Sequence, residues 1–202
     1  EGDDSPSVGS LALFSSLFAV VVLPIFLLFG IPDSIPPVGE MWLLMLTGGI
    51  YLGAIIFYLY ALLGDDVSNV VPFWLTAPVF DFFLGWAYLG EKLTLIHILA
   101  SLLILVGASV LSLVRDEQGK IRVKWQLALL MLGSSALFAI NDVLFKKIAL
   151  TSGFWDSTFF TYVGYLLLGV ILFFLVKTYR DGFLSLLRKN GRFIFGINVL
   201  GE

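Results

Sequence analysis

Long apolar runs, separated by short polar breaks, dominate this sequence. Six of the runs are long enough for a membrane helix, since about 20 residues at 1.5 Å each cross the hydrocarbon core. They cover residues 10–30, 41–64, 67–90, 93–114, 125–147 and 157–176. A further run begins at Phe193. The pattern predicts an all-α integral membrane protein, an antiparallel helical bundle of six complete transmembrane helices with a truncated seventh.

The breaks contain residues that end helices or favour turns. Pro32, Pro36 and Pro37 lie in the first break, and proline cannot continue a helix. Short connections place consecutive helices side by side and antiparallel. The longest charged break in the first two thirds, 115–124, is predicted to be a linker that separates residues 1–114 from 125–202. Apolar and basic residues alternate over 177–192, as is typical of an amphipathic helix at the membrane interface.

Composition narrows the classes of function. Hydrophobic residues make up 59% of the chain and charged residues 13%, whereas a soluble domain is about 25% charged. The net charge of -3 and the lack of a basic stripe exclude nucleic acid as a partner. The sequence has no cysteine, which excludes disulfides and thiolate metal sites. His97 is the single histidine, and we interpret it as an interfacial residue, so no metal site is expected.

The basic residues are distributed unequally between the two sides of the predicted bundle. Nine lie on the side of 115–124 and 177–192, and three lie on the other side: Lys92, Lys146 and Lys147. The positive-inside rule then places 115–124 in the cytoplasm, for a multi-pass protein of the plasma (inner) membrane. Because the chain starts at Glu1 without an initiator Met and ends within an apolar run, we expect a fragment of a longer protein.

Two stretches of the chain have a recognisable pattern of residues. The first combines Ala77-Pro78-Val79-Phe80, a Gly90-Glu91-Lys92-Leu93-Thr94 turn and a segment rich in small residues at 100–108. The second is 137–147, which ends in Lys146-Lys147. These stretches resemble the EamA-type repeat of the drug/metabolite transporter superfamily, in which a proline-containing helix ends in a Gly-Glu-basic-Leu turn.

The resemblance covers residues 10–176 and implies a ten-helix, inverted-repeat transporter fold. Members of the family have two inverted five-helix repeats and export or import small metabolites. On that template 1–114 is a first repeat without its opening helix, 115–124 is the linker and 125–202 is the truncated start of a second repeat. The family places its Gly-Glu turn in the cytoplasm, opposite to the side that the basic residues indicate. Both orientations therefore stay open.

Asp81 is the central candidate for a functional site, because an ionised carboxylate near the middle of a span costs about 2.5 to 3.5 kcal/mol to insert. It must face a partner or water, and we predict that it binds substrate and couples transport to protons. Helical spacing places Trp74, Pro78 and Tyr88 on its face. The alternative is a neutral or hydrogen-bonded carboxylate with a structural role only.

Two other residues complete the predicted substrate site. Tyr58 in the second run offers an aromatic face, and Asn141 in the fifth has an amide that contacts either substrate or another helix. Aromatic residues suit a cationic or amphipathic molecule and equally an aromatic amino acid. The neighbouring Asp142 is interpreted as the local partner of Lys146, four residues further along the helix.

The prolines of the third run have two interpretations, and the glycines of the second run have one. Pro72 and Pro78 free backbone carbonyls that either bind substrate or belong to tolerated kinks. Gly49 and Gly53 have the Gly-x-x-x-Gly spacing that predicts close helix packing.

The favoured function is a transmembrane transporter that alternates access to a central site between two repeats. The alternatives are an intramembrane enzyme and a noncatalytic membrane scaffold. The sequence has no H-E-x-x-H and no G-x-S-x-G motif, and Asp81 lacks the paired acid of an aspartyl protease. The loops are short for a scaffold. We therefore predict no enzyme activity and no cofactor, with a small-molecule substrate and the lipid bilayer as partners. Assembly as a homo-oligomer is left open.

Overall fold

The computed structural model describes residues 7–64, 73–111, 114–115, 121–122 and 125–188. Within these ranges the chain forms seven helices. They are α1 (Val8–Leu28), α2 (Val38–Gly64), α3 (Ala77–Leu89), α4 (Leu95–Leu111), α5 (Trp125–Ser152), α6 (Phe154–Leu175) and α7 (177–188). Two short strands, β1 (Val114–Arg115) and β2 (Ile121–Arg122), pair antiparallel in the region predicted to be a linker. The predicted all-α class is confirmed within these ranges, with this small pair of strands added.

Four of the helices are long and apolar enough to cross a membrane: α1, α2, α5 and α6. They occupy four of the six predicted spans. Helix α3 has 13 residues and α4 has 17, so both are shorter than the runs that predicted them. Thirteen residues rise about 20 Å, which is less than the hydrocarbon thickness of about 30 Å. The run that begins at Phe193 and the last residues of the predicted interfacial helix lie outside the described ranges.

The third predicted span differs most from expectation. Residues 67–72, including Pro72, lie outside the described ranges. From Phe73 the chain makes a short helical segment, turns at Leu75 and Thr76, and then enters α3. Pro78 occupies the first turn of α3, where its missing N–H removes no helical hydrogen bond. The sequence had suggested a kink in the middle of a span at Pro78. The structure instead places Pro78 at the beginning of a helix.

Contacts divide the chain into two compact units. The first unit comprises Glu1–Leu52 and Ile148–Glu202, and the second comprises Gly53–Lys147. Helices α2 and α5 contribute residues to both units. All six predicted substrate-binding residues belong to the second unit.

In the first unit, α1 and α6 pack against each other in antiparallel orientation. Phe18 contacts Tyr162 with ring centroids 6.1 Å apart, and Phe26 contacts Trp155 at 6.0 Å. Helix α7 joins this core through Phe183, whose ring lies 4.8 Å from that of Phe14. The segment predicted to lie at the membrane interface thus buries part of its apolar face against α1.

Helices α2 and α6 approach most closely at two glycines, Gly48 and Gly164. A Cβ atom at Gly48 would lie 2.5 Å from the backbone nitrogen of Tyr165, and one at Gly164 would lie 2.5 Å from the carbonyl carbon of Met45. At Gly53 nothing would lie within 4 Å of a Cβ atom. A Cβ atom at Gly49 would lie 3.6 Å from the side chain of Leu168 on α6, an ordinary contact. The predicted Gly-x-x-x-Gly pair is therefore not the tight contact, which uses the neighbouring Gly48.

A carboxylate holds one end of the first unit together. Asp156, in the first turn of α6, accepts hydrogen bonds from the backbone N–H of Asp33 at 3.0 Å and of Ser34 at 3.2 Å. The hydroxyl of Ser34 donates a third bond at 2.7 Å. A negative charge is also favourable at a helix N-terminus. Asp156 therefore ties the proline-rich connection after α1 to the start of α6.

In the second unit, α2 and α5 are antiparallel neighbours. The buried hydroxyl of Ser134 donates to the backbone carbonyl of Ala54 at 2.8 Å. Further along α2, Ala61 is fully buried in the same hydrophobic cluster as Met131 of α5. This pairing positions the face of α5 that meets α3.

Candidate functional site

Three aromatic rings, which we call the aromatic wall, line the beginning of the contact between α3 and α5. They are Tyr58 on α2, Trp74 before α3 and Phe138 on α5. The ring of Trp74 lies 5.5 Å from that of Tyr58 and 5.7 Å from that of Phe138. Beside them, the hydroxyl of Ser135 donates to the carbonyl of Phe73 at 3.2 Å. Two predicted site residues, Tyr58 and Trp74, are thus in direct contact.

Two lysines of α5 close the far end of the same contact. Lys146 forms an ion pair with Glu91, and the Nζ of Lys147 donates to the hydroxyl of Tyr88 at 3.1 Å. Lys147 also lies 4.3 Å from the centre of the Tyr88 ring. Since contacts at both ends follow rising residue numbers on both helices, α3 and α5 run side by side in the same direction. We call this contact the seam.

The turn after α3 explains why Glu91 reaches Lys146. Gly90 has a φ of +70°, which residues with a Cβ rarely adopt, and the N–H of Glu91 donates to the carbonyl of Gly85 at 3.2 Å. A Cβ atom at Gly85 would lie 2.7 Å from Oε2 of Glu91, so this glycine leaves room for the folded-back carboxylate. The Gly-Glu turn that carries the family resemblance therefore places a carboxylate beside the end of α5.

The middle of the seam holds three polar side chains: Asp81, Asn141 and Asp142. We call them the polar cluster. Asp81 interacts electrostatically with Asp142 and with Lys146, and the amide nitrogen of Asn141 donates to Oδ1 of Asp142 at 3.0 Å. Oδ1 of Asp81 and Oδ1 of Asn141 are buried and have no hydrogen-bond partner within the described residues. The cluster thus contains buried acceptors that the described protein groups leave unsatisfied.

The predicted pairing of Asp142 with Lys146 is not the one that the structure shows. Lys146 pairs with Glu91 across the seam, and Asp142 accepts its hydrogen bond from Asn141. The physical reason is the Gly90 turn, which brings Glu91 within reach of Lys146. Sequence reasoning missed Glu91, Lys146 and Lys147 as a group. The signal that could have identified them is that all three lie in the two stretches that resemble the family.

The remaining predicted residues occupy different parts of the seam. Pro78 is exposed at the start of α3, and Asp81 is partly buried four residues before Gly85. Tyr88 lies at the far end, 49% exposed, with its hydroxyl bound by Lys147. Tyr58 and Trp74 are therefore in contact. Asp81 and Asn141 each interact with Asp142, and Tyr88 lies at the end of the seam that the lysines occupy.

His97 has a local role at the start of α4. Its ring stacks on Phe82 with centroids 4.9 Å apart, and its Nδ1 accepts from the N–H of Thr94 at 3.5 Å. An apolar cavity of about 80 Å³ is lined by Phe83 of α3, by His97 and by other residues of α4. In the part of the chain that the structure describes, no three histidine, cysteine or acidic residues are grouped to hold a metal ion.

The sequence profile of the EamA-like transporter family matches residues 5–113, which is more than half of the chain. The chain belongs to the EamA-like transporter family. The resemblance inferred from the Gly-Glu turn is thereby confirmed. No curated protein and no solved structure matches the chain significantly. As an EamA-like transporter with four helices able to cross a membrane, it is a multi-pass integral membrane protein.

Proposed function

We propose that this protein moves small metabolites across the plasma membrane and binds them at the seam between α3 and α5. The observation that carries the proposal is the pair of buried oxygens on Asp81 and Asn141 that have no hydrogen-bond partner among the described residues. A buried polar group without a partner costs about 1 to 3 kcal/mol. A ligand that donates hydrogen bonds to both oxygens offsets it.

The aromatic wall supports the same location. Trp74 contacts Tyr58 on one side and Phe138 on the other, and it remains 42% exposed. Exposed aromatic faces next to buried acceptors are the usual composition of a small-molecule site, which combines apolar walls with a few oriented polar groups. The turn at Leu75 and Thr76, which interrupts the helical conformation before α3, fits this role. Discontinuous helices often form transporter sites.

The transport cycle that we propose is alternating access between two inverted repeats. The family match ends at residue 113, beside the polar stretch 115–124, which supports a first repeat that closes with α4. Residues from Trp125 onward would then begin the second repeat. Rocking of one repeat against the other exposes a site near the midplane to each side in turn. We assign no catalytic residue, because the polar groups of the seam serve binding in this mechanism.

Asp81 is the proposed proton-coupling group. The charged groups that face it from α5 are Asp142 and Lys146, and α4 places His97 against the adjacent Phe82. Substrate and proton compete for the Asp81 carboxylate, so that release of one on each side permits binding of the other. The net result is movement of substrate driven by a pH gradient.

The test uses membrane vesicles from cells that express the encoding gene, with a panel of radiolabelled amines, amino acids and nucleosides. The Asp81→Asn variant keeps the size of the side chain but cannot ionise, so we expect loss of pH-gradient-driven accumulation and retention of substrate exchange. Asp181→Asn, at an exposed position of α7, is the control. Unchanged pH dependence in Asp81→Asn would refute proton coupling. Fluxes no greater than those of vesicles without the protein would refute transport.

A further inference from the structure

We propose that the polar cluster is a binding subsite for a primary ammonium group, so that the substrate is an amine with an apolar body. The inference rests on the proposed transport function and names the substrate class of the same seam. Its basis is the number, type and position of the hydrogen-bonding groups that Asp81, Asn141 and Asp142 bring together.

The cluster is composed of acceptors. Oδ1 of Asp81 and Oδ1 of Asn141 have no partner within the described residues, and the amide nitrogen of Asn141 is already used on Asp142. Asp142 adds a second carboxylate that is exposed at the edge of the cluster. An ammonium group has three N–H donors and no acceptor, so it matches three acceptor side chains. A hydroxyl has only one donor and satisfies one of them.

The side chain of Asn141 is the independent sign of a ligand. It is only 8% exposed, and its carbonyl oxygen is buried without a partner in the described part of the chain. Because its nitrogen is bound to Asp142, the amide cannot flip to relieve the oxygen without losing that bond. The oxygen is therefore held as an acceptor next to the carboxylate of Asp142.

Charge favours a cation over other donors. The carboxylates of Asp81 and Asp142 repel each other, and that of Asp81 is partly buried and so less well solvated. The nearest lysines are engaged at the end of the seam, Lys146 with Glu91 and Lys147 with Tyr88. A positively charged ligand compensates the carboxylates, whereas the carboxylate of an amino acid would add a third negative charge. We therefore expect an amine to bind more tightly than the amino acid with the same side chain.

The aromatic wall sets the shape of the apolar body. Phe138 lies one helical turn before Asp142 on the same face of α5, a distance of roughly 5.4 Å along the axis. Trp74 covers Phe138 with ring centroids 5.7 Å apart. A ligand whose ring is joined to its ammonium group by two carbons spans this distance. 2-Phenylethylamine is the simplest probe of that form.

The experiment measures equilibrium binding of 2-phenylethylamine to the purified 202-residue chain in lipid nanodiscs at pH 7. 2-Phenylethanol and phenylalanine are the comparison ligands, because they share the ring but lack the cation or add a carboxylate. We expect the amine to bind at least about tenfold more tightly than either. Asp142→Asn and Asn141→Leu should each weaken amine binding by about tenfold or more, while Asp181→Asn stays within about twofold.

The outcomes separate this inference from the proposed function. Equal binding of amine and alcohol, no saturable amine binding, or amine binding unchanged in both Asp142→Asn and Asn141→Leu would overturn the ammonium subsite. Circular dichroism of each variant checks that weaker binding does not come from unfolding, and the isosteric Asp142→Asn change keeps the test valid if Asn141→Leu fails to fold. Flux of a different class of solute in the vesicle assay would leave the transport proposal standing while this inference fails.

Discussion

The close contact between α2 and α6 allows a stability prediction with a defined magnitude. In the Gly164→Ala variant the new methyl carbon would lie 2.5 Å from the carbonyl carbon of Met45, whereas carbon atoms in contact are about 3.5 to 4.0 Å apart. The obstacle is backbone, which cannot rotate away, so the two helices must separate by about 1 Å. Overpacking of this kind costs about 1 to 3 kcal/mol. The gain of about 1 kcal/mol from alanine's helix propensity offsets only part of it.

Gly53→Ala is the matched control for this change. Gly53 lies on α2, and nothing is within 4 Å of the position where its Cβ would be, so only the propensity gain of up to about 1 kcal/mol remains. The free energy of unfolding, measured by denaturant titration of the purified chain in detergent and followed by circular dichroism, should be lower in Gly164→Ala than in Gly53→Ala by about 1 to 3 kcal/mol. If Gly164→Ala is as stable as Gly53→Ala, the described packing of α2 on α6 is wrong.

Three further predictions concern single positions. Asp156→Ala removes three hydrogen bonds to a carboxylate and should lower the free energy of unfolding by about 2 to 4 kcal/mol in the same titration, while Asp181→Ala changes it by less than about 0.5 kcal/mol. Gly90→Ala forces alanine into the left-handed region and should cost about 1 to 2 kcal/mol, whereas Gly107→Ala, at an open helical position, should not destabilise. A Gln118→Cys variant of this cysteine-free chain should resist a membrane-impermeant thiol reagent on intact cells, and rapid labelling would instead support the orientation implied by the family.

The membrane helices were largely predictable because insertion depends on long local runs of apolar residues. The runs 10–30 and 157–176 became α1 (Val8–Leu28) and α6 (Phe154–Leu175), with ends shifted by a few residues. The start of α3 was not predictable in this way. Pro78 is compatible both with a kink inside a membrane helix and with the first turn of a new one, and only the surrounding structure distinguishes the two.

The site was partly predictable for a related reason. Asp81 is conspicuous in the sequence because a charge inside an apolar run is costly. The helical spacing that grouped Trp74 with it does not apply, because the chain turns at Leu75 and Thr76 between the two residues. The pairing of Lys146 with Glu91 joins segments 55 residues apart, so no local spacing rule could find it. The choice between Gly48 and Gly49 as the packing residue depends on the rotation of α2 against α6, which small residues on adjacent positions do not determine.

The central claim is that the seam between α3 and α5 lies on a water-accessible transport pathway. The most direct measurement is the reaction of a Pro78→Cys variant with a water-soluble thiol reagent in membrane vesicles, since Pro78 is exposed at the start of α3 and the chain has no other cysteine. Leu167→Cys, exposed on the membrane helix α6, is the control that should face lipid. The account predicts that the Pro78→Cys variant reacts, that 2-phenylethylamine slows the reaction and that modification blocks transport, while Leu167→Cys stays unlabelled. Equal reactivity of the two variants, or transport unchanged by full modification of Pro78→Cys, would contradict it.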